Sequence, residues 1–237
     1  MSWLNDVIDW SEVWVLLIPL AIYFIKRPKA RWVKPVLIYL LISLLCNVIV
    51  DITWKSKSLG IEEWCKKVFW WLYIGEKEEL YNTIFYNLNS VARLLLFTWF
   101  FFIINKTYKK LYRITWIFFV LFFTINFIFL ENIRDFSSRQ LSAEAGIMLF
   151  YCLLYFYQVN TDDEIPSVVA IPYFWIVAGL TLYTAINFMI FLFFRYLITE
   201  AYEFSKNIWT VHNISYIILN VFIGISFWKA KQQPLNQ

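Results

Sequence analysis

Apolar residues along the chain gather into seven runs, near 12–26, 33–54, 80–104, 114–131, 141–158, 168–194 and 207–228. Each reaches or approaches the ~20 residues that a helix rising 1.5 Å per residue needs to cross ~30 Å of hydrocarbon. The first and fifth runs are the shortest. Val13 to Ile25 is the strictly apolar part of the first, so this span draws on Trp10 at the interface, where aromatic rings are favoured. Pro19 inside it predicts a kink. The connection from about 55 to 79 holds Val68, Phe69, Trp70, Trp71, Leu72 and Tyr73 between charged flanks. That stretch is too short to span and predicts an aromatic segment lying in the interface near 64–75. No repeat of fixed period is evident, and seven spans do not divide into two equal halves.

Composition narrows the class. Apolar residues make up 61% of 237 and charged residues only 16%, against ~45–50% and ~25% in soluble globular domains. Five Gly and six Pro leave few loops. The reading is a single all-α integral membrane domain over 1–237, a bundle of seven transmembrane helices with the lipid bilayer as its first partner. The net charge of +4 is spread in short clusters beside apolar runs, which fixes topology and argues against nucleic acid as a partner. Cys46 and Cys152 fall in apolar runs and Cys65 in a loop, so all three read as free thiols. Asp6, Asp9 and Glu12, with no Lys or Arg, precede the first run, so a cleavable signal peptide is not expected.

Basic residues near the span ends set orientation. Lys26, Arg27, Lys29, Arg31 and Lys34 in the first connection, Lys106, Lys109, Lys110 and Arg113 in the third, and Lys229 and Lys231 in the tail make eleven on one side. Lys55, Lys57, Lys66, Lys67, Lys77, Arg134, Arg139, Arg195 and Lys206 make nine on the other. The dense first cluster favours the N-terminus outside and the C-terminus inside. The acidic connection Asp162, Asp163, Glu164, assigned inside, opposes it.

Polar side chains at membrane depth are costly and turn toward the bundle interior. In the third span Asn82, Tyr86, Asn89 and Arg93 recur at i, i+4, i+7 and i+11, one face of a helix. Arg93 lies 13 residues past Leu80, ~20 Å along the axis, too deep to snorkel, and needs a partner. The seventh span offers Asn213, Tyr216 and Asn220, with His212 beside them. Asn47 and Asp51 in the second span, Asn126 in the fourth, Glu144 in the fifth and Asn187 in the sixth complete a set concentrated in the outer half. If these faces meet, they form a polar pocket opening outward, with Asp51 or Glu144 as the counter-ion of Arg93. The competing reading is hydrogen-bond glue between helices, worth about 0.6 kcal/mol per bond in membranes.

Catalytic and cofactor signatures are sparse. One His and three separated Cys give no metal-ligand spacing, and no phosphate loop or nucleophile elbow occurs. No cofactor is expected. A retinal Schiff base needs a lysine in the helical core, and Lys229 and Lys231 stand at the end of the last span. Asn105-Lys-Thr107 and Asn213-Ile-Ser215 match the glycosylation pattern but read as chance matches. The stretches Glu79-Leu-Tyr-Asn-Thr-Ile-Phe-Tyr-Asn87, Phe174-Trp-Ile-Val-Ala-Gly179, Ile208-Trp-Thr-Val-His-Asn-Ile214 and Phe227-Trp-Lys-Ala230 resemble the uncharacterised seven-helix inner-membrane proteins of Bacteroidota. The resemblance implies seven spans and a multi-pass place in the inner (cytoplasmic) membrane, and no activity. The functional expectation is a non-enzymatic sensor or a protein binding a lipid or small molecule, able to signal only through a partner membrane protein. The alternatives are a transporter or channel component and an intramembrane enzyme using Asp51, Glu144 or His212.

Overall fold

A computed structural model describes residues 7–8, 10–74, 79–105, 107–161 and 167–230. Eight α-helices carry the described chain: α1 Ser11–Lys26, α2 Val33–Trp54, α3 Glu62–Val68, α4 Ile84–Ile104, α5 Lys109–Ile125, α6 Ser138–Asn160, α7 Pro172–Glu200 and α8 Tyr202–Lys229. Six of them are long and apolar enough to cross a membrane: α2, α4, α5 with its extension to Leu130, α6, α7 and α8. The first apolar run forms a helix of 16 residues that continues through Pro19, short of the length that a spanning helix needs on its own. Asp6, Asp9, Lys77, Lys106, the acidic connection Asp162 to Glu164, and Lys231 lie outside the described residues.

The helices close into a ring. Going round it, α1 packs on α2, α2 on α4, α4 on α6, α6 on α7, α7 on α8, and α8 back on α1. α5 stands outside this ring against α4, and few of its side chains are covered. Its sequence predicts that place: Phe118, Leu121, Ile125, Ile128 and Phe129 are exposed, an apolar surface suited to lipid. α5 begins five residues before the predicted run, taking in Lys109, Lys110 and Arg113, which stay exposed while Lys109 and Arg113 lie over the Phe102 ring of α4 at 5.4 and 5.6 Å. Its last turn widens to a π-helix over Asn126–Leu130.

Small residues let the most intimate pairs approach. A Cβ on Gly179 of α7 would stand 2.8 Å from Cβ of Phe222 on α8, closer than packed carbons tolerate. A Cβ on Gly224 would meet Ile22 of α1 at 3.0 Å. One half of the ring interior is filled by rings and aliphatic chains with essentially no exposure: Leu16, Tyr39, Leu40, Phe97, Phe100, Phe101, Tyr151, Leu180, Ile223 and Phe227. Tyr112 and Tyr151 meet edge to face at 4.8 Å, and the tilted rings of Tyr39 and Phe97 lie 5.0 Å apart.

The predicted aromatic segment folds as α3, the 3-10 turn Trp70–Leu72 and a two-residue strand, Tyr73–Ile74, paired antiparallel with Glu79–Leu80. Trp64, Trp70 and Trp71 are exposed while Cys65 and Leu72 are buried, so one side of the segment docks on the bundle and the other shows indole rings. The backbone N–H of Tyr81 donates to Leu72 O at 2.9 Å and ties the segment to the start of α4. The three cysteines are free and buried. Asn105 and Asn213 are buried as well, which leaves neither accessible to a glycosyl transferase.

Candidate functional site: a polar funnel at one end of the ring

The start of α1, the end of α2, the starts of α4, α6 and α8 and the end of α7 lie at the same end of the ring, opposite the aromatic fill. Almost every buried polar residue of the ring sits there. The anchor is Arg93. Its Nε donates to Glu144 Oε1 at 2.5 Å and its Nη2 to Oε2 at 2.6 Å, a two-pronged guanidinium–carboxylate pair. Ser90 Oγ adds a bond to Glu144 Oε2 at 2.7 Å, and Arg93 Nη1 donates to the Tyr183 hydroxyl at 2.8 Å. Arg93 is 5% exposed and Glu144 1%. The buried arginine is thus balanced by one carboxylate from α6, and Asp51 belongs elsewhere: its carboxylate pairs with Lys55 one turn on, at 3.5 Å.

Above the pair lie two adjoining spaces. A chamber of about 30 Å³, room for about one water, is lined by Glu12, Asn47, Tyr86, Asn89, Arg93, Phe136, Leu141, Tyr183, Phe191, Trp209, His212 and Tyr216. A vestibule of about 360 Å³ is lined by Glu12, Val50, Asp51, Trp54, Lys55, Asn82, Thr83, Tyr86, Trp209 and Asn213. Glu12, Tyr86 and Trp209 belong to both and form the neck of the funnel.

The polar positions read from the sequence divide accordingly. Asn47, Tyr86, Asn89, Arg93, His212 and Tyr216 line the chamber, and Asp51, Asn82 and Asn213 line the vestibule. Asn89 accepts from Ser43 Oγ at 2.7 Å, and Asn47 Nδ2 donates to Glu12 O at 2.8 Å. Glu144 and Asn187 stand just behind the wall, each gripping a residue that lines it. Asn220 is deeper, its Nδ2 on Tyr216 O at 2.9 Å. Asn126 is a correction. Its Nδ2 donates to Glu131 Oε2 at 3.0 Å and Ser137 Oγ at 3.1 Å, closing the turn between α5 and α6 away from the funnel, because α5 lies outside the ring.

Sequence reasoning missed Glu12, which reads as a flanking charge. The packing of α1 on α8 buries it to 7% exposure, with Oε1 3.8 Å from His212 Nε2 and the Tyr86 hydroxyl within hydrogen-bonding reach. It also missed Phe136 and Trp209, whose rings carry no contrast in a chain so rich in aromatics. Trp209 stacks on His212 at 4.8 Å and meets Tyr86 edge to face at 6.3 Å. Asn87, one step off the polar stripe, holds the segment bearing Phe136: its Nδ2 donates to Ile133 O and Asp135 O at 2.8 and 2.7 Å, and its Oδ1 accepts from Ser137 N at 3.3 Å. Ser137 in turn caps α6 through Gln140 N.

Among the described residues no group of three His, Cys, Asp or Glu is placed to hold a metal ion. No protein-family model, curated protein or solved structure matches this chain. The funnel brings charged and polar groups to fixed positions between aromatic walls.

Proposed function

We propose that this chain is a non-enzymatic ligand-binding or sensor protein of the inner membrane, with seven spans, the N-terminus outside and the C-terminus inside, and that the funnel is its outward-facing site. One observation carries the reading: a vestibule of about 360 Å³ adjoins a small chamber with a buried two-pronged ion pair beside it. Small-molecule sites commonly occupy roughly 300–1,000 Å³ with a few polar groups fixed among apolar walls. Counting α1 as the seventh span is favoured by its place as a ring member between α2 and α8. With seven spans the funnel and the basic first connection fall on opposite sides, which sets the funnel outward by the positive-inside rule. A transporter is disfavoured by the aromatic and aliphatic fill beneath the chamber, from Tyr39 and Phe97 to Phe227. The exposed face of α5 is where a partner membrane protein would receive a signal.

Native mass spectrometry of the protein released from nanodiscs, together with thermal stability across a library of small polar molecules of every charge, tests the reading. The expected result is a retained small molecule, or a library member that raises the melting temperature, lost in Val50→Phe, which fills the vestibule. No adduct and no stabilising compound would refute it.

A further inference from the structure

We propose that the funnel binds a small organic cation, an alkylammonium, with its N–H donors at the neck among Glu12, His212 and Asn213. This inference rests on the ligand-binding reading above and adds the ligand's charge and hydrogen-bonding sense.

The hydrogen bonds around the neck determine which atoms are left facing it. Asn187 Nδ2 donates to Tyr183 O at 2.7 Å and to Ser215 Oγ at 2.9 Å. A carbonyl only accepts, so that amide orientation is fixed and Oδ1 is the atom presented to His212 Nδ1. Nδ1 therefore carries the proton, and in the neutral ring Nε2 is a bare acceptor. Across 3.8 Å it faces Glu12 Oε1, another acceptor. The same logic holds for Asn213: Nδ2 donates to Ile8 O at 3.2 Å, which turns Oδ1 into the free acceptor, and this buried Oδ1 has no partner within the protein. Glu12 and His212 thus face each other as acceptors from α1 and α8 on the chamber side, and Asn213 adds an unpartnered acceptor on α8 among the residues that line the vestibule with Glu12. Two facing acceptors repel unless a donor comes between them, and an ammonium group brings several N–H donors on one centre.

Charge agrees. Arg93 is neutralised by Glu144, and Asp51 is paired with Lys55, whose Nζ also lies 4.1 Å from the Trp10 ring centroid. Around the funnel three carboxyl groups, Glu12, Asp51 and Glu144, thus stand against two cations, Arg93 and Lys55. The walls agree too. Tyr86 and Trp209 at the neck, and Trp54 in the vestibule, present π-systems of the kind that attract a desolvated cation within about 6 Å. The chamber takes about the volume of one ammonium head, and the vestibule takes its substituent.

The test uses the full chain in nanodiscs and three probes of matched size: ethanolammonium, ethylene glycol and glycolate. Isothermal titration should give ethanolammonium a Kd at least tenfold lower than either of the others. Glu12→Gln, which keeps the size and the Asn47 bond to the main-chain oxygen, should lose at least tenfold in ethanolammonium affinity while melting like the parent. Should Glu12→Gln fold poorly, Trp209→Leu provides an independent reading, since a cation over its ring would bind severalfold more weakly. Equal binding of ethylene glycol, or preference for glycolate, would overturn the cation assignment and leave the ligand-binding reading standing. If none of the three binds but a library compound of another class does, the result is the same. If nothing of any charge binds, the ligand-binding reading fails and the inference with it.

Discussion

Replacing Arg93 by leucine removes a guanidinium that makes two bonds of 2.5 and 2.6 Å to Glu144 and a third of 2.8 Å to Tyr183. Glu144 keeps only Ser90, at 2.7 Å, in a position 1% exposed. Breaking a buried pair by deleting one partner costs roughly 3–5 kcal/mol, because the remaining charge is neither solvated nor compensated. For a chain of this length that corresponds to a melting temperature lower by on the order of 10 °C. Thermal unfolding in a fixed detergent or nanodisc, followed by circular dichroism, reads the loss directly. Arg93→Leu combined with Glu144→Leu should recover a large part of it, since the orphaned carboxylate is gone, and the coupling between the two should be ~1 kcal/mol or more. Arg93→Lys should fall between, because an ammonium cannot reproduce the two-pronged fit. The reasoning is refuted if Arg93→Leu melts like the parent, or if the double variant is as unstable as the sum of the single ones.

Gly179→Ala places a Cβ 2.8 Å from Cβ of Phe222 and should lower stability by about 1–3 kcal/mol in the same melting assay, through forced separation of α7 and α8. Asn87→Ala removes three bonds to the 133–137 segment and should cost about 1–3 kcal/mol, with the neighbouring amides exchanging faster with deuterium. In a background with Cys46, Cys65 and Cys152 replaced by alanine, Ser58→Cys should react with an impermeant maleimide on intact cells and Thr107→Cys should not. The opposite pattern would reverse the proposed orientation.

Much of this arrangement was legible in the sequence, and the exceptions share a physical cause. A periodicity of 3.6 put Tyr86, Asn89 and Arg93 on one face of α4, although Asn82, read as part of the same stripe, lies in the turn before the helix; the cost of a buried arginine demanded a carboxylate, narrowed to Asp51 or Glu144. Choosing between them needs tertiary packing: α6 packs directly on α4 in the ring, whereas Asp51 meets Lys55 one turn on at the end of α2. Asn126 looked like a pocket residue because apolarity does not say which helix stands outside the ring. Glu12 looked like a flanking charge because nothing local reveals that α1 packs against α8 at this depth. The aromatic neck was invisible for another reason: with 22% Phe, Trp and Tyr, one more ring carries no signal. Six helices meet the length and apolarity of a span, and α1, with 16 residues, takes its place in the ring through packing.

The central claim is a polar site open to water at one end of the ring and sealed from the other, and cysteine accessibility tests it most directly. In the same cysteine-free background, Thr83→Cys in the vestibule, where the side chain is only partly covered, and Leu180→Cys in the fill beneath the chamber would be treated with a small hydrophilic methanethiosulfonate in nanodiscs. The expected result is rapid modification at 83 and none at 180 in the folded protein. Protection at 83, or reaction at 180 comparable to that at 83, would contradict it.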